Sequence, residues 1–180
     1  MKLVPLLGSA WMFGDSVDTD AIYPGQFLHV LDRMEMPRYA FKSMKPDFAK
    51  KVEPNDIIVA GRNFGCGSSR EHAVLCLRHS GIGAIVALSF ARIFYRNAIN
   101  NALPVLTLDI DDQQAVELYS TVMDGDDLDL DFSKNLLEVV SSGERYRLNP
   151  LPEHLMEIIN AGGLIEHTRQ KMQKERENRR

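Results

Sequence analysis

Asp56–Leu88, DIIVAGRNFGCGSSREHAVLCLRHSGIGAIVAL, is the stretch on which the fold turns. It opens on a β-branched run, Asp56–Ala60, and passes through a loop of small residues. Beyond the loop, Ala73, Leu75, Cys76 and Leu77 stand among polar residues at helical spacing. Gly81 and Gly83 break that segment and lead into a second apolar run. The pattern predicts a strand at 56–60, a helix at 69–80 and a strand at 84–88. Such a unit joins parallel strands through a right-handed crossover.

The alternation continues outward from there. Downstream the pattern predicts a helix at 90–101, a strand at 104–108 and a helix at 112–122, and then the period changes. Leu128, Leu130 and Phe132 alternate with Asp127, Asp129 and Asp131, and 136–140 and 146–148 complete a small β-meander. A last helix, 152–160, ends at Gly162-Gly163. Upstream, residues 1–13 read as a first strand, and 13–25, FGDSVDTDAIYPG, as a turn-rich acidic loop suited to Asx turns. Residues 34–50 hold one or two short helices punctuated by prolines. The fold class is α/β.

The chain has 180 residues, 44% hydrophobic and 26% charged, which suits one well-buried domain. Its formal net charge is −4, yet the last twelve residues carry six positive and two negative charges, leaving −8 on residues 1–168. A body that acidic argues against a nucleic-acid surface. The division expected is a domain over 1–165 and a charged, solvated tail over 166–180. MKLVPLLGSAW is interrupted by Pro5 and reads as strand rather than leader, and no run is long enough to span a membrane. Cys66 and Cys76, the two cysteines, fit a reducing, cytoplasmic setting and are too few to hold an iron–sulfur cluster.

The loop itself, Asn63–His72, lies between a strand and a helix. Such a turn aims backbone N–H groups and the positive end of a helix dipole at whatever lies in front. It lacks the Lys of a P-loop, and Arg70 replaces the third glycine of a dinucleotide fingerprint, so a carboxylate suits it better than a nucleotide. Ser68-x-x-Glu71 also matches a capping box, which would account for one serine and the glutamate and leave Ser69, Arg70, Gly65 and Gly67 unexplained. A cysteine hydrolase on Cys66 and His72 lacks an orienting partner.

Three blocks, 14–28 GDSVDTDAIYPGQFL, 61–73 GRNFGCGSSREHA and 89–106 SFARIFYRNAINNALPVL, together resemble the small-subunit family of 3-isopropylmalate dehydratase. That family is similar to the C-terminal swivelling domain of aconitase, and the resemblance covers about residues 12–108. It implies a three-layer β/β/α swivelling domain and a hydro-lyase of leucine biosynthesis built from two chains. The implied partner is a large iron–sulfur subunit, in a heterodimer or heterotetramer, which carries the [4Fe–4S] cluster; this chain carries no cofactor and no metal. By the same resemblance Ser68 is the base that removes a proton α to a carboxylate, while Ser69, Arg70 and Gly67 hold a small dicarboxylate substrate. His72, Glu71, Asn97, Asn100 and Asn101 read as support.

Phe27, Leu28, His29 and Val30 occupy the segment that in this family meets the substrate's distinguishing group. Three apolar residues suit an isopropyl or methyl group, and a protonated His29 suits a further carboxylate. Isopropylmalate is therefore favoured, with homoaconitase and 2,3-dimethylmalate dehydratase as alternatives. A non-catalytic anion-binding module is the alternative of another class.

Overall fold

The computed structural model describes residues 3–178. Among them seven strands form one sheet in the order β4-β3-β2-β1-β5-β6-β7. The parallel part comprises β1 (Leu6–Phe13), β2 (Ile57–Ala60), β3 (Ala84–Ala87) and β4 (Val105–Thr107). Every residue of β2 and β3 is buried, so both read as unbroken apolar runs, as strands covered on two faces do.

The antiparallel part comprises β5 (Asp127–Asp131), β6 (Leu136–Val139) and β7 (Arg145–Arg147). Strand β5 pairs antiparallel with β1. Here one face is solvated: Leu128 and Leu130 are buried, while Asp127 and Asp129 are exposed. The sheet curls until its ends meet. Leu108 bridges Leu148, with Asp109 N donating to Arg147 O and Asn149 N to Thr107 O, each at 2.8 Å.

Among the described residues seven α-helices complete the fold: α1 (Thr19–Ile22), α2 (Phe48–Lys51), α3 (Glu71–His79), α4 (Arg92–Asn100), α5 (Asp112–Thr121), α6 (Glu153–Ala161) and α7 (Leu164–Asn178). Helix α3 carries the β2–β3 crossover and α4 the β3–β4 crossover. Their apolar stripes, Ala73–Leu77 and Phe94, Ala98 and Ile99, are buried in the core. The long excursion between β1 and β2 contributes Phe41 and Phe48, whose rings pack at 4.9 Å, with Phe41 stacked on Phe13 at 4.2 Å.

Three expectations are corrected. Residues 3–5 lie outside the first strand, which begins at Leu6; residues 1 and 2 lie outside the described range. Helix α3 begins at Glu71 rather than at 69, because the chain turns tightly, with Arg70 N donating to Ser68 O at 2.7 Å. The capping box at Ser68 is consequently not formed: the N-cap is Arg70, no side chain caps it, and Glu71 Oε1 instead accepts from Asn101 Nδ2 at 2.8 Å. The chain does contain a capping box, on α5, where Asp111 and Gln114 satisfy one another's backbone N–H groups.

Candidate active site

The loop after β2 runs between the loops after β1 and β3, at the carboxyl edge of the parallel strands, a usual location for sites in α/β sheets. On one side Ser16 N donates to Arg62 O at 2.7 Å, Gly65 N to Val17 O at 2.8 Å and Thr19 N to Cys66 O at 2.8 Å. On the other, Phe64 N donates to Ser89 O at 3.0 Å and Ala91 N to Phe64 O at 2.9 Å. The three sequence blocks are thus neighbours joined by backbone hydrogen bonds. Gly65 has φ +77°, and a Cβ there would drive into the Phe94 ring, so this residue lets the loop lie flat on α4.

From that base the chain lifts into Gly67, Ser68 and Ser69, all exposed. Gly67 holds φ +93°, a conformation that L side chains rarely adopt. The Ser68 hydroxyl lies 3.3 Å from Thr19 Oγ1, and that threonine hydroxyl donates to Ser68 O at 3.2 Å. With its own proton committed there, Thr19 has lone pairs left to accept the Ser68 proton. Ser69 makes no hydrogen bond among the described residues. Arg70 is half-buried and ion-paired through Nη1 with Asp20 Oδ1, against Gly25. The uncapped first turn of α3 opens behind this group, so its N–H groups have no side-chain acceptor.

The other candidates divide between structure and surface. His72 stacks on the buried Tyr23 ring at 6.1 Å, as expected of a supporting residue. Tyr23 donates its hydroxyl to Phe27 O at 2.9 Å, and burial raises the pKa of that hydroxyl. Phe27 stacks on Tyr39 at 4.1 Å and Leu28 packs against the core. Val30 is buried in the core, which leaves His29 as the exposed side chain of Phe27–Val30. Cys76 is fully buried, and desolvation pushes its thiol up, out of any reactive range. Cys66 donates its thiol to Ser16 O at 3.4 Å. Among the described residues no group of three or more His, Cys, Asp or Glu is placed to hold a metal ion, and no helix is long and apolar enough to cross a membrane.

Sequence reasoning missed Thr19 and Asp20, read only as parts of an acidic turn. Thr19 is 2% exposed, a rare burial for a polar residue, and Asp20 meets the guanidinium of the loop. The one signal available was that Asp18–Asp20 stands in the first of the three blocks that carry the resemblance.

A curled mixed sheet with a serine–arginine loop at its parallel edge defines the swivelling-domain class, and residues 9–113 match the aconitase C-terminal domain family. Within that class the chain belongs to the family of 3-isopropylmalate dehydratase small subunits. The protein of that name from Methanosarcina acetivorans is 49% identical over 90% of this chain and 95% of its own length. The crystal structure of 3-isopropylmalate dehydratase from Methanocaldococcus jannaschii superposes with a TM-score of 0.87 at 36% identity, covering 97% of this chain and 99% of that one. The methanogen homoaconitase small subunit of Methanothermobacter thermautotrophicus is 44% identical over 89% of this chain and 88% of its own.

Proposed function

We propose that the chain is the small subunit of a cytoplasmic two-chain hydro-lyase that interconverts 2-isopropylmalate and 3-isopropylmalate by dehydration and rehydration. The observation that carries this is the exposed pair Ser68 and Ser69 set in front of an uncapped helix, with Arg70 fixed beside them. Ser68 takes the proton α to a carboxylate, and Ser69, Arg70 and the Gly67 backbone hold the carboxylate. Loss of the hydroxyl from the adjacent carbon gives the alkene, and water returns with the positions exchanged.

A serine is a weak base. A helix dipole of up to ~2 kcal/mol corresponds to roughly 1.5 pKa units, far short of what proton abstraction needs. Arg70, the α3 N–H groups and a dry closed site supply the remainder, and closure requires the large subunit. This chain's own residues do not fit an iron–sulfur cluster, since Cys76 is buried in the core and Cys66 stands alone in the loop. We assign the [4Fe–4S] group and the hydroxyl-accepting chemistry to the large subunit. The swivel unit is taken as 1–165, with 166–180 as an appended tail; the absence of any buried side chain in α7 among the described residues supports that division.

Substrate choice is assigned to Phe27–Val30. The homoaconitase reading is kept as the second one because His29, the exposed member, can offer an imidazole N–H to a further carboxylate. The test is anaerobic reconstitution with the large subunit, assayed on isopropylmalate, homocitrate, citrate and 2,3-dimethylmalate. Isopropylmalate is expected to turn over fastest. A brown, active preparation of this chain alone, or a reconstituted complex inert toward all four, would overturn the assignment.

A further inference from the structure

The turn that carries His29 is held by a side chain outside it. Val30 N donates to Phe27 O at 2.9 Å, closing a turn whose central residues are Leu28 and His29. The Tyr23 hydroxyl donates to the same carbonyl, also at 2.9 Å. A carbonyl oxygen has two lone pairs, and here both are engaged, so the Phe27 peptide has little freedom to rotate. Tyr23 is fully buried, and a phenylalanine would fill that space with no polar group to satisfy. The turn, rather than packing, therefore explains the hydroxyl. Burial raises its pKa, which keeps it a donor at neutral pH.

The same residue reaches the serine loop. Its ring stacks on His72 at 6.1 Å, and His72 is the second residue of α3, two places after Arg70. Its backbone N–H donates to Thr19 O at 2.9 Å, and the Thr19 hydroxyl lies 3.3 Å from that of Ser68. Between Tyr23 and Phe27 the chain passes Gly25, where a Cβ would come within 3.2 Å of Arg70 Nη1. The Tyr23 ring also meets Tyr39 edge-on at 6.4 Å, and Tyr39 stacks on Phe27. One buried ring is thus joined both to the turn bearing His29 and to the first turn of the helix that follows Ser68–Arg70.

We propose that Tyr23 is a positioning residue for substrate choice: its hydroxyl locks the Phe27–Val30 turn, and its ring and backbone set that turn at a fixed place relative to Ser68–Arg70. Fully buried, it touches no substrate and acts through the turn. His29 is thereby presented in one place, and the substrate's distinguishing group meets a rigid outline. This role rests on the assignment of substrate choice to Phe27–Val30 and adds the residue outside that segment which gives it its shape.

The test is Tyr23→Phe in the full chain reconstituted with the large subunit, assayed on isopropylmalate, 2,3-dimethylmalate and homocitrate beside His29→Arg and Tyr146→Phe. Tyr146, on β7, is a second buried tyrosine with a hydrogen-bonded hydroxyl and controls for loss of such a group in general. Tyr23→Phe is expected to raise KM for isopropylmalate about three- to tenfold, the worth of one neutral hydrogen bond, with kcat within about twofold of wild type. The kcat/KM ratio of isopropylmalate to 2,3-dimethylmalate is expected to fall at least about threefold, and to stay unchanged in Tyr146→Phe. In the full chain without its partner, hydrogen exchange at the Val30 amide is expected to quicken about tenfold in Tyr23→Phe and not in Tyr146→Phe, a readout that does not depend on assembly. Unchanged exchange at Val30 overturns the role of Tyr23. So does faster exchange with substrate preference unmoved while His29→Arg shifts preference toward homocitrate, an outcome that leaves the segment's own role standing. An equal fall of the ratio in Tyr146→Phe also overturns it, as general softening. Preference unmoved by both Tyr23→Phe and His29→Arg removes the segment from substrate choice, and this role with it.

Discussion

At the residue scale, Ser68 carries no helix cap, and its hydroxyl contacts only Thr19 among the described residues. Ser68→Ala is therefore expected to leave the melting temperature unchanged while lowering kcat in the reconstituted enzyme by about 10²–10⁴-fold, the usual worth of a positioned acid or base. A lowered melting temperature with kcat preserved would return the serine to a structural role. Asp20→Asn removes the charge that fixes Arg70, so kcat/KM is expected to fall by up to about 10²-fold through misplacement of the proposed carboxylate clamp. Thermal unfolding of that variant should shift little, since an exposed ion pair contributes at most ~1 kcal/mol. Ser68, Ser69 and Arg70 could be proposed from the sequence because G-S-S-R-E-H-A is a local string. Thr19 and Asp20 could not, because their meaning lies in contacts with residues 49 and 50 positions away.

At the element scale, the strands and helices from 56 to 121 stand within two residues of their sequence-predicted bounds, since β2 and β3 are short apolar runs bounded by turn residues and α3 and α4 carry a helical period. The start of α3 was misplaced because a capping-box string and a tight turn look alike until the backbone path is known. Gly65→Ala tests that path. The positive φ and the Phe94 ring together should cost about 2–4 kcal/mol, seen as a lower urea midpoint for the isolated chain. The segment Phe27–Val30 invites a different test. Its apolar members are anchored inward, by the stack on Tyr39 and by burial of Val30, so selectivity should respond most to His29. His29→Arg adds a fixed bidentate donor and is expected to raise the kcat/KM ratio of homocitrate-type substrates to isopropylmalate. Apolar contacts discriminate by only ~1–3 kcal/mol, so a change beyond tenfold is within reach. An unmoved ratio would remove this segment from substrate choice.

At the scale of the whole molecule, the parallel part of the sheet followed from strand–helix alternation, whereas the pairing of β5 with β1 did not, because nothing local marks which strand a meander will join. Helix α7 contributes no buried side chain among the described residues. A chain ending at Ile165 is therefore expected to change in stability by no more than about 0.5 kcal/mol, the range of surface changes, and to reconstitute full activity. A collapse in stability would show that the tail belongs to the domain. The junction of β4 and β7 through Leu108 and Leu148 has a consequence for the life of an unassembled subunit. Open sheets offer their outermost strands as templates on which further chains polymerise. Here the two outermost strands are pinned to each other at that point, so stockpiled copies have little ladder left to extend while they await a mate. The edges of the sheet thereby leave a second chain little backbone to pair with.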